Sequence, residues 1–409
     1  MVHAVAGVRL ASVYAGIKQQ TSGSAPAPDE TTARPDLVLM RLAAGSQVAG
    51  VFTQSHFAAP PVLICRDVLA ARTPVDTLVI NSGNANAATG DRGRRDAEAV
   101  CDAARSPHGQ AVLPFSTGVI GEFLPVAAMR AALAAAAEQL STDGWVAAAE
   151  AIMTTDTVAK LVSRTLEVNG KRIAITGMAK GSGMIEPNMA TMLAFLACDA
   201  PVPEAELRAL CQRIADRSFN RVSVDGDTST NDAFVLVATG AGETVASDLD
   251  TAALAQLEGA LTDVAIDLAM RIARDGEGAT RLVRVAVAGA ATDDDAHRVA
   301  KTLANSPLLK TAIFAGDPNW GRLCMAIGRA PAAVTAERVA VFLESAAGRL
   351  CVARHGMVAE EYSEAQASAI MAEPELSIDV ELGLGGGATT VWTCDLSYDY
   401  VRINAEYRT

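Results

Sequence analysis

Histidine is scarce in this chain: His3, His56, His108, His297 and His355 are five residues scattered through 409. None stands in an H-x-x-x-H or G-x-S-x-G setting, so neither a zinc-hydrolase motif nor a nucleophile elbow is written in the sequence. A Ser-His-Asp triad would need imidazoles gathered by the fold alone. Aromatic residues reach only 4 %, and much of the hydrophobic half is alanine, which favours close helix-on-sheet packing over large aromatic anchors. Lysine and arginine are outnumbered 34 to 47 by acidic residues, and no basic run offsets the net charge of −13. Such a surface repels phosphates, so nucleic acid is excluded as a partner. The seven cysteines form no C-x-x-C pair and are expected to be reduced, mostly buried thiols of a cytosolic protein. The start, MVHAVAGVRLASVYAG, lacks the pattern of a secretion signal. No apolar run reaches the roughly 18 residues that span a bilayer. The expectation is a soluble, cytoplasmic protein away from membranes.

What is present suits a large folded body. Hydrophobic residues make up 50 % and charged residues 20 %, enough for a sizeable core in one large architecture or two domains. Residues 19–35, rich in Ser, Pro and Thr, predict an exposed loop. Strand-like runs stand at 37–43, 48–54 and 77–83, and helical patterns at 94–104 and 125–140. A hairpin is predicted over 160–179 with Asn169-Gly170 at its turn. The second half gives a buried strand at 191–199, a helix at 203–216, a strand at 234–240, a long helix near 251–274 and a strand at 280–289. A further helix begins after the acidic triplet 293–295. Residues 376–404 alternate with period two around a Gly-rich turn and predict another hairpin. The fold class expected is α/β (α+β), with mixed β-sheets layered with helices rather than a doubly wound parallel sheet.

Several polar segments invite chemistry. GMAKGSGMIEPNMATMLAF (177–195) sets Gly181, Gly183, Pro187 and Asn188 before an apolar run that opens at Ala190-Thr191. It is no Walker loop, since Lys180 precedes the glycines and no G-K-[ST] follows. GLGGGA (383–388) fits a dinucleotide fingerprint in form, but a strand-like stretch follows where a helix is required, so it reads as a turn. INSGNANAATGDRG (80–93) follows a strand. SVDGDTSTND (223–232) lacks the Gly and Glu of a calcium loop and is read as an inter-strand turn, with no metal expected. GDPNWGR (316–322) suits a pocket wall or a structural corner equally.

NSGNANAATG, STGVIG (116–121), MTTDT (153–157), KGSGMIEPNMATML (180–193), SVDGDTSTND and DPNWGR stand in this order, ahead of a C-terminus holding Asn404 and Thr409. Together they resemble the ornithine acetyltransferase family, also called glutamate N-acetyltransferase, of the cyclic arginine pathway, from residue 7 to Thr409. The resemblance implies a self-cleaving, N-terminal-nucleophile type of fold. The bond between Ala190 and Thr191 would be cut by attack of the Thr191 hydroxyl, giving an α-chain of 1–190 and a β-chain of 191–409 that co-fold into one catalytic unit. Thr191 would then be the nucleophile, with its own α-amine as base, a role that needs no histidine.

By the same resemblance Thr117 and Gly118 form the oxyanion hole. The alternative for STGVIG is a Ser/Thr turn at a helix start, and the two are compatible. Substrate contacts fall to Thr154 (or Thr155), Lys180, Thr191, Glu277, Asn404 and Thr409, with Lys180 suited to an α-carboxylate and Glu277 to the distal ammonium of ornithine. Glu186, five positions before the scissile bond, is read as facing solvent rather than tuning cleavage. The implied reaction moves acetyl from acetylornithine to glutamate without a cofactor, with acetyl-CoA open as a second donor. A dimer of cleaved heterodimers is the implied assembly. The competing class is a related aminopeptidase or amidohydrolase that passes the acyl group to water, and an uncleaved homologue acting on another acyl amino acid is the second alternative.

Overall fold

The computed structural model describes residues 1–18, 34–186 and 192–406; the loop expected over 19–35 falls almost wholly outside them. The first half runs β1 (Val8–Val13), β2 (Leu37–Leu42), β3 (Gln47–Phe52), α1 (Pro60–Ala70), β4 (Val75–Asn84), α2 (Gly90–Ala104) and β5 (Ala111–Val119). There follow α3 (Val126–Glu138), α4 (Trp145–Ala151), β6 (Lys160–Val168), β7 (Lys171–Lys180), β8 (Leu193–Cys198), α5 (Glu204–Arg217), β9 (Ala233–Ala238) and α6 (Thr251–Arg274). The last part holds β10 (Leu282–Ala290), α7 (Asp293–Ala304), α8 (Pro307–Ala315), α9 (Trp320–Gly328), β11 (Ala340–Ser345), β12 (Gly348–Arg354) and β13 (Met357–Val358). It closes with α10 (Glu364–Met371), β14 (Glu375–Glu381), β15 (Gly387–Cys394) and α11 (Tyr398–Glu406).

Among the described residues the strands form three mixed sheets. The first has the order β1-β2-β4-β5 and the second β3-β9-β8-β7-β6. They lie face to face, with Val38, Met40 and Ile80 of the first against Met178, Val235 and Val237 of the second. Phe115 and Phe195 meet edge-on between them, their ring centroids 5.0 Å apart. Such a pair adds to the apolar burial that joins the layers. Helices α2 and α3 cover the outer face of the first sheet through Val100, Met129 and Leu133. Helices α5 and α6 cover the outer face of the second through Leu207, Leu210, Leu261 and Leu268. Both faces of β8 and β9 are therefore covered, which is why every residue of each is buried and neither shows alternation. The third sheet, β13-β12-β11-β14-β10-β15, packs on α7 to α10 around Val285, Val299, Ile327, Val341 and Ile370. The expected class of mixed sheets layered with helices is what the chain adopts. Among the described residues no helix is long and apolar enough to cross a membrane.

The hairpin over 160–179 forms as its turn dictates: β6 and β7 pair antiparallel with Val168 opposite Lys171, and Asn169 and Gly170 take φ of +51° and +75°. The C-terminal hairpin does not form. β14 and β15 both exist, but β10 lies between them, parallel to β14 and antiparallel to β15. Alternation reports which residues share a face and says nothing of which strand is the neighbour. The stretch after β15 is also helical rather than extended, as α11. STGVIG, too, stands at the end of β5 and not at a helix start.

Candidate active site

β4 and β5 run parallel, and their ends are braced by amides from the Asn-rich segment. Asn81 donates to the Asn84 carbonyl at 2.8 Å and accepts from the Ser116 hydroxyl at 2.6 Å. Asn231, ahead of β9, donates to the Ala85 and Ser116 carbonyls at 2.6 and 2.9 Å. These bonds fix the strand end that carries Thr117 and Gly118. Gly118 has φ +131°, and a Cβ there would stand 2.2 Å from the Gly83 carbonyl carbon, so only glycine lets β5 close on β4.

Lys180 ends β7 inside the protein, and its Nζ donates to Thr117 Oγ1 at 3.2 Å. Burial pushes the Lys180 ammonium below the ordinary lysine range, with Asp156 pulling the other way. Behind it lies a buried ion cluster: Lys160 Nζ is 2.6 Å from Asp156 Oδ1 and 2.6 Å from Asp275 Oδ2. Burial would raise the Asp156 carboxyl, but Lys180 and Lys160 outweigh it and bring it down to about 2. Asp156 also accepts from the Thr154 and Gly181 N–H groups at 3.0 and 2.7 Å. The Asp275 carbonyl accepts from Ser182 Oγ at 2.6 Å, and the Ser182 carbonyl from the Glu277 N–H at 2.9 Å. One cluster therefore ties together the three segments that bear Thr154, Lys180 and Glu277.

Glu277 is 8 % exposed and accepts from Asn404 Nδ2 at 2.7 Å, which docks α11 on the site. A Cβ on Gly183 would lie 2.3 Å from Glu277 Oε2, so glycine makes room for that carboxylate. Asp225 accepts from the Met184 and Ile185 N–H groups at 2.7 and 2.8 Å and from the Tyr400 hydroxyl at 3.4 Å. Burial raises the Asp225 carboxyl, while those N–H groups pull it back. Asp232 is 3 % exposed, and its Oδ2 has no partner among the described residues. Burial lifts its carboxyl well above the usual range.

These groups enclose a cavity of about 350 Å³, lined by Thr117, Gly118, Thr154, Lys180, Glu277 and Asn404 among others. Thr155 lines it as well, so both threonines considered reach the same space. Ala190, Thr191 and Thr409 lie outside the described residues. The ArgJ family model matches residues 12–409 of this chain, well over half its length. The chain belongs to the ArgJ family.

Two curated relatives agree in length as well as in sequence. The arginine biosynthesis bifunctional protein ArgJ of Methylococcus capsulatus is 48 % identical over 409 residues, covering 99 % of this chain and 96 % of the relative. That of Pseudomonas syringae pv. tomato is 46 % identical over 416 residues, covering 100 % and 98 %. A solved structure of the Mycobacterium tuberculosis ornithine acetyltransferase complexed with ornithine is 33 % identical, covers 46 % of this chain and 94 % of that one, and has a TM-score of 0.36. ArgJ proteins are enzymes of arginine biosynthesis, and this chain is one of that family.

The other ArgJ-family segments have structural work. DPNWGR is a corner: Asn319 caps α9 by accepting from the Arg322 N–H at 3.1 Å, and Arg322 donates to the Leu308 carbonyl at 2.6 Å. Glu186 does not face open solvent. Its Oε2 is 3.1 Å from Lys301 Nζ, with the two side chains 18 % and 13 % exposed. A glutamate read alone is expected outside, and the partner on α7 is what draws it in. Asp225 is spent on backbone N–H groups, and among the described residues no three His, Cys, Asp or Glu side chains gather as metal ligands. Sequence reasoning gave Asp156, Lys160 and Asp275 no role, and it weighed Asp232 only as part of the turn segment 223–232. Asp156 and Asp275 stand inside MTTDT and RDGEGAT, but no spacing rule joins groups more than a hundred residues apart.

Proposed function

We propose that this chain transfers acetyl from N2-acetylornithine to glutamate by a ping-pong route through an acetyl ester on Thr191, after cleaving itself between Ala190 and Thr191. The supporting observation is that Thr117, Gly118, Thr154, Lys180, Glu277 and Asn404, drawn from five separate stretches of chain, line one cavity. Membership of the ArgJ family, whose relatives at 46 % and 48 % identity are named for arginine biosynthesis, supports the choice of substrate.

In maturation the Thr191 hydroxyl adds to the Ala190 carbonyl, the C–N bond breaks, and the resulting ester is hydrolysed by water. The products are chains 1–190 and 191–409, folded as one unit, with a free α-amine on Thr191. That amine, with an ordinary pKa of about 7.7–8.0, takes the hydroxyl proton as the hydroxyl attacks the acetyl carbonyl. Thr117 Oγ1 already accepts from Lys180 Nζ, so its own O–H is left to point at the developing oxyanion beside the Gly118 N–H. Collapse expels ornithine, its nitrogen taking up the proton. Glutamate then attacks the ester by the reverse steps and leaves as N-acetylglutamate. Lys180 supplies a cation for the α-carboxylate, and Glu277 an anion for the δ-ammonium of ornithine. Thr154 and Thr409 would add hydrogen bonds to substrate.

The word bifunctional in the relatives' names supports a second donor, acetyl-CoA, feeding the same ester. We assign the working form to the cytoplasm, as a dimer of cleaved heterodimers using no cofactor. The test is rapid-quench mixing of processed enzyme with acetylornithine alone. One equivalent of ornithine should appear per Thr191 before glutamate is added; strictly sequential kinetics would contradict the route, and steady release of acetate would favour the hydrolase class.

A further inference from the structure

Three consecutive residues just ahead of the cleavage segment take five polar contacts from parts of the chain far away in sequence. The Met184 and Ile185 N–H groups donate to the two oxygens of Asp225 at 2.7 and 2.8 Å. The Ile185 carbonyl accepts from the Val224 N–H at 2.7 Å, and the Glu186 carbonyl from the Thr228 hydroxyl at 3.0 Å. Lys301 Nζ sits 3.1 Å from Glu186 Oε2 and donates to the Val222 carbonyl at 2.8 Å, so the same ammonium joins segment, loop and helix α7.

The backbone is held against its preference. Met184 takes φ +56°, a left-handed conformation that a residue with a side chain keeps only where its surroundings over-determine it. Ile185 is 2 % exposed in the same core cluster as Met192, and the Met192 carbonyl accepts from the Ala233 N–H at 2.9 Å. The chain is thus anchored to the body on both sides of 187–191, at 186 and at 192. Of the clamping side chains, Lys301 and Glu186 do not line the cavity.

We propose that the 222–228 loop and Lys301 form a clamp for self-cleavage, with Asp225, Thr228 and Lys301 as positioning residues. The proposal rests on the self-cleavage reading above. An intramolecular attack is fast only when hydroxyl and carbonyl are held near contact, roughly 3–3.5 Å, and each free rotation ahead of the bond dilutes that arrangement. Once the bond is cut, the Lys301–Glu186 pair has no reacting atom left to position. Its loss therefore slows maturation and spares turnover.

The experiment follows the disappearance of the full-length chain by denaturing mass spectrometry after a short induction. It compares wild type, Asp225→Asn, Lys301→Met, Lys301→Arg and the double variant Glu186→Gln/Lys301→Met, with folding checked by thermal melting. Asp225→Asn and Lys301→Met should cleave at least about tenfold more slowly, and Lys301→Arg should recover most of the rate. Lys301→Met protein that has cleaved should show the wild-type kcat per mole of new N-terminus. The double variant leaves no unpaired buried charge, so it should melt like wild type yet cleave slowly. Wild-type cleavage rates in the double variant would overturn the clamp while leaving self-cleavage standing, as would a kcat loss in processed Lys301→Met equal to its cleavage loss. Absence of cleavage in the wild type would instead remove the self-cleavage reading, and the clamp with it.

Discussion

Lys180 donates a 3.2 Å hydrogen bond to Thr117 Oγ1, joining the end of β7 to the end of β5 across 63 residues of chain. The bond occupies the acceptor side of the threonine hydroxyl and leaves its proton free to turn into the cavity. A buried ammonium and a hydroxyl are in this way set beside the Gly118 backbone, where the proposed mechanism calls for an oxyanion donor.

Thr117→Ala should therefore lower kcat for acetyl transfer by about 10²–10³, with KM changed far less. Thr117→Ser should recover most of the loss, because the hydroxyl is retained. Steady-state kinetics on processed protein check this. A loss of less than about threefold would remove Thr117 from the oxyanion hole.

Two glycines should fail in different ways. An added carbon at Gly183 meets the flexible end of Glu277, at 2.3 Å from Oε2, whereas one at Gly118 meets Gly83 backbone at 2.2 Å with φ at +131°. Gly183→Ala should melt near the wild type but raise KM for acetylornithine about tenfold, the equivalent of 1.4 kcal/mol. Gly118→Ala should cost about 2–4 kcal/mol of stability. Thermal melts and KM measured on both variants separate the two. A Gly183→Ala protein with unchanged KM would argue against Glu277 as the ammonium site.

Much of the local structure was legible in the sequence, because its signals are local. Asn169-Gly170 encodes a two-residue turn, and the apolar pattern near 251–274 is α6. Pairing was not legible where it depends on distant chain: nothing in 376–404 says that β10 will come between β14 and β15. The site shows the same division. Thr117, Lys180, Glu277 and Asn404 were assigned through the family resemblance, and the structure brings all four to one cavity. The Lys160–Asp275 pair is 115 residues apart, and although Asp275 stands two positions before Glu277, no local signal joins it to Lys160, so the pair could be seen only in the fold. Glu186 was misplaced for the same reason, since its environment is set by Lys301.

The buried ion cluster makes a prediction in acid. The Asp156 carboxyl lies at about 2 in the folded protein against an ordinary 3.8, so as pH falls the unfolded chain takes the proton first. Its contribution to stability is full above pH 4 and is lost as pH drops toward 2, amounting to about 2 kcal/mol. Urea unfolding at pH 5 and pH 3 should show a smaller difference for Asp156→Asn than for wild type. An equal difference in both would mean that Asp156 carries no such linkage.

The central claim is that a new chain begins at Thr191. Denaturing mass spectrometry of the purified wild type beside Thr191→Ala tests it most directly. The account predicts two polypeptides in the wild type, one ending at Ala190 and one beginning at Thr191, and a single uncut chain in the variant. A wild type that stays one chain of 409 residues would have no free Thr191 amine, and the mechanism would be wrong for this protein.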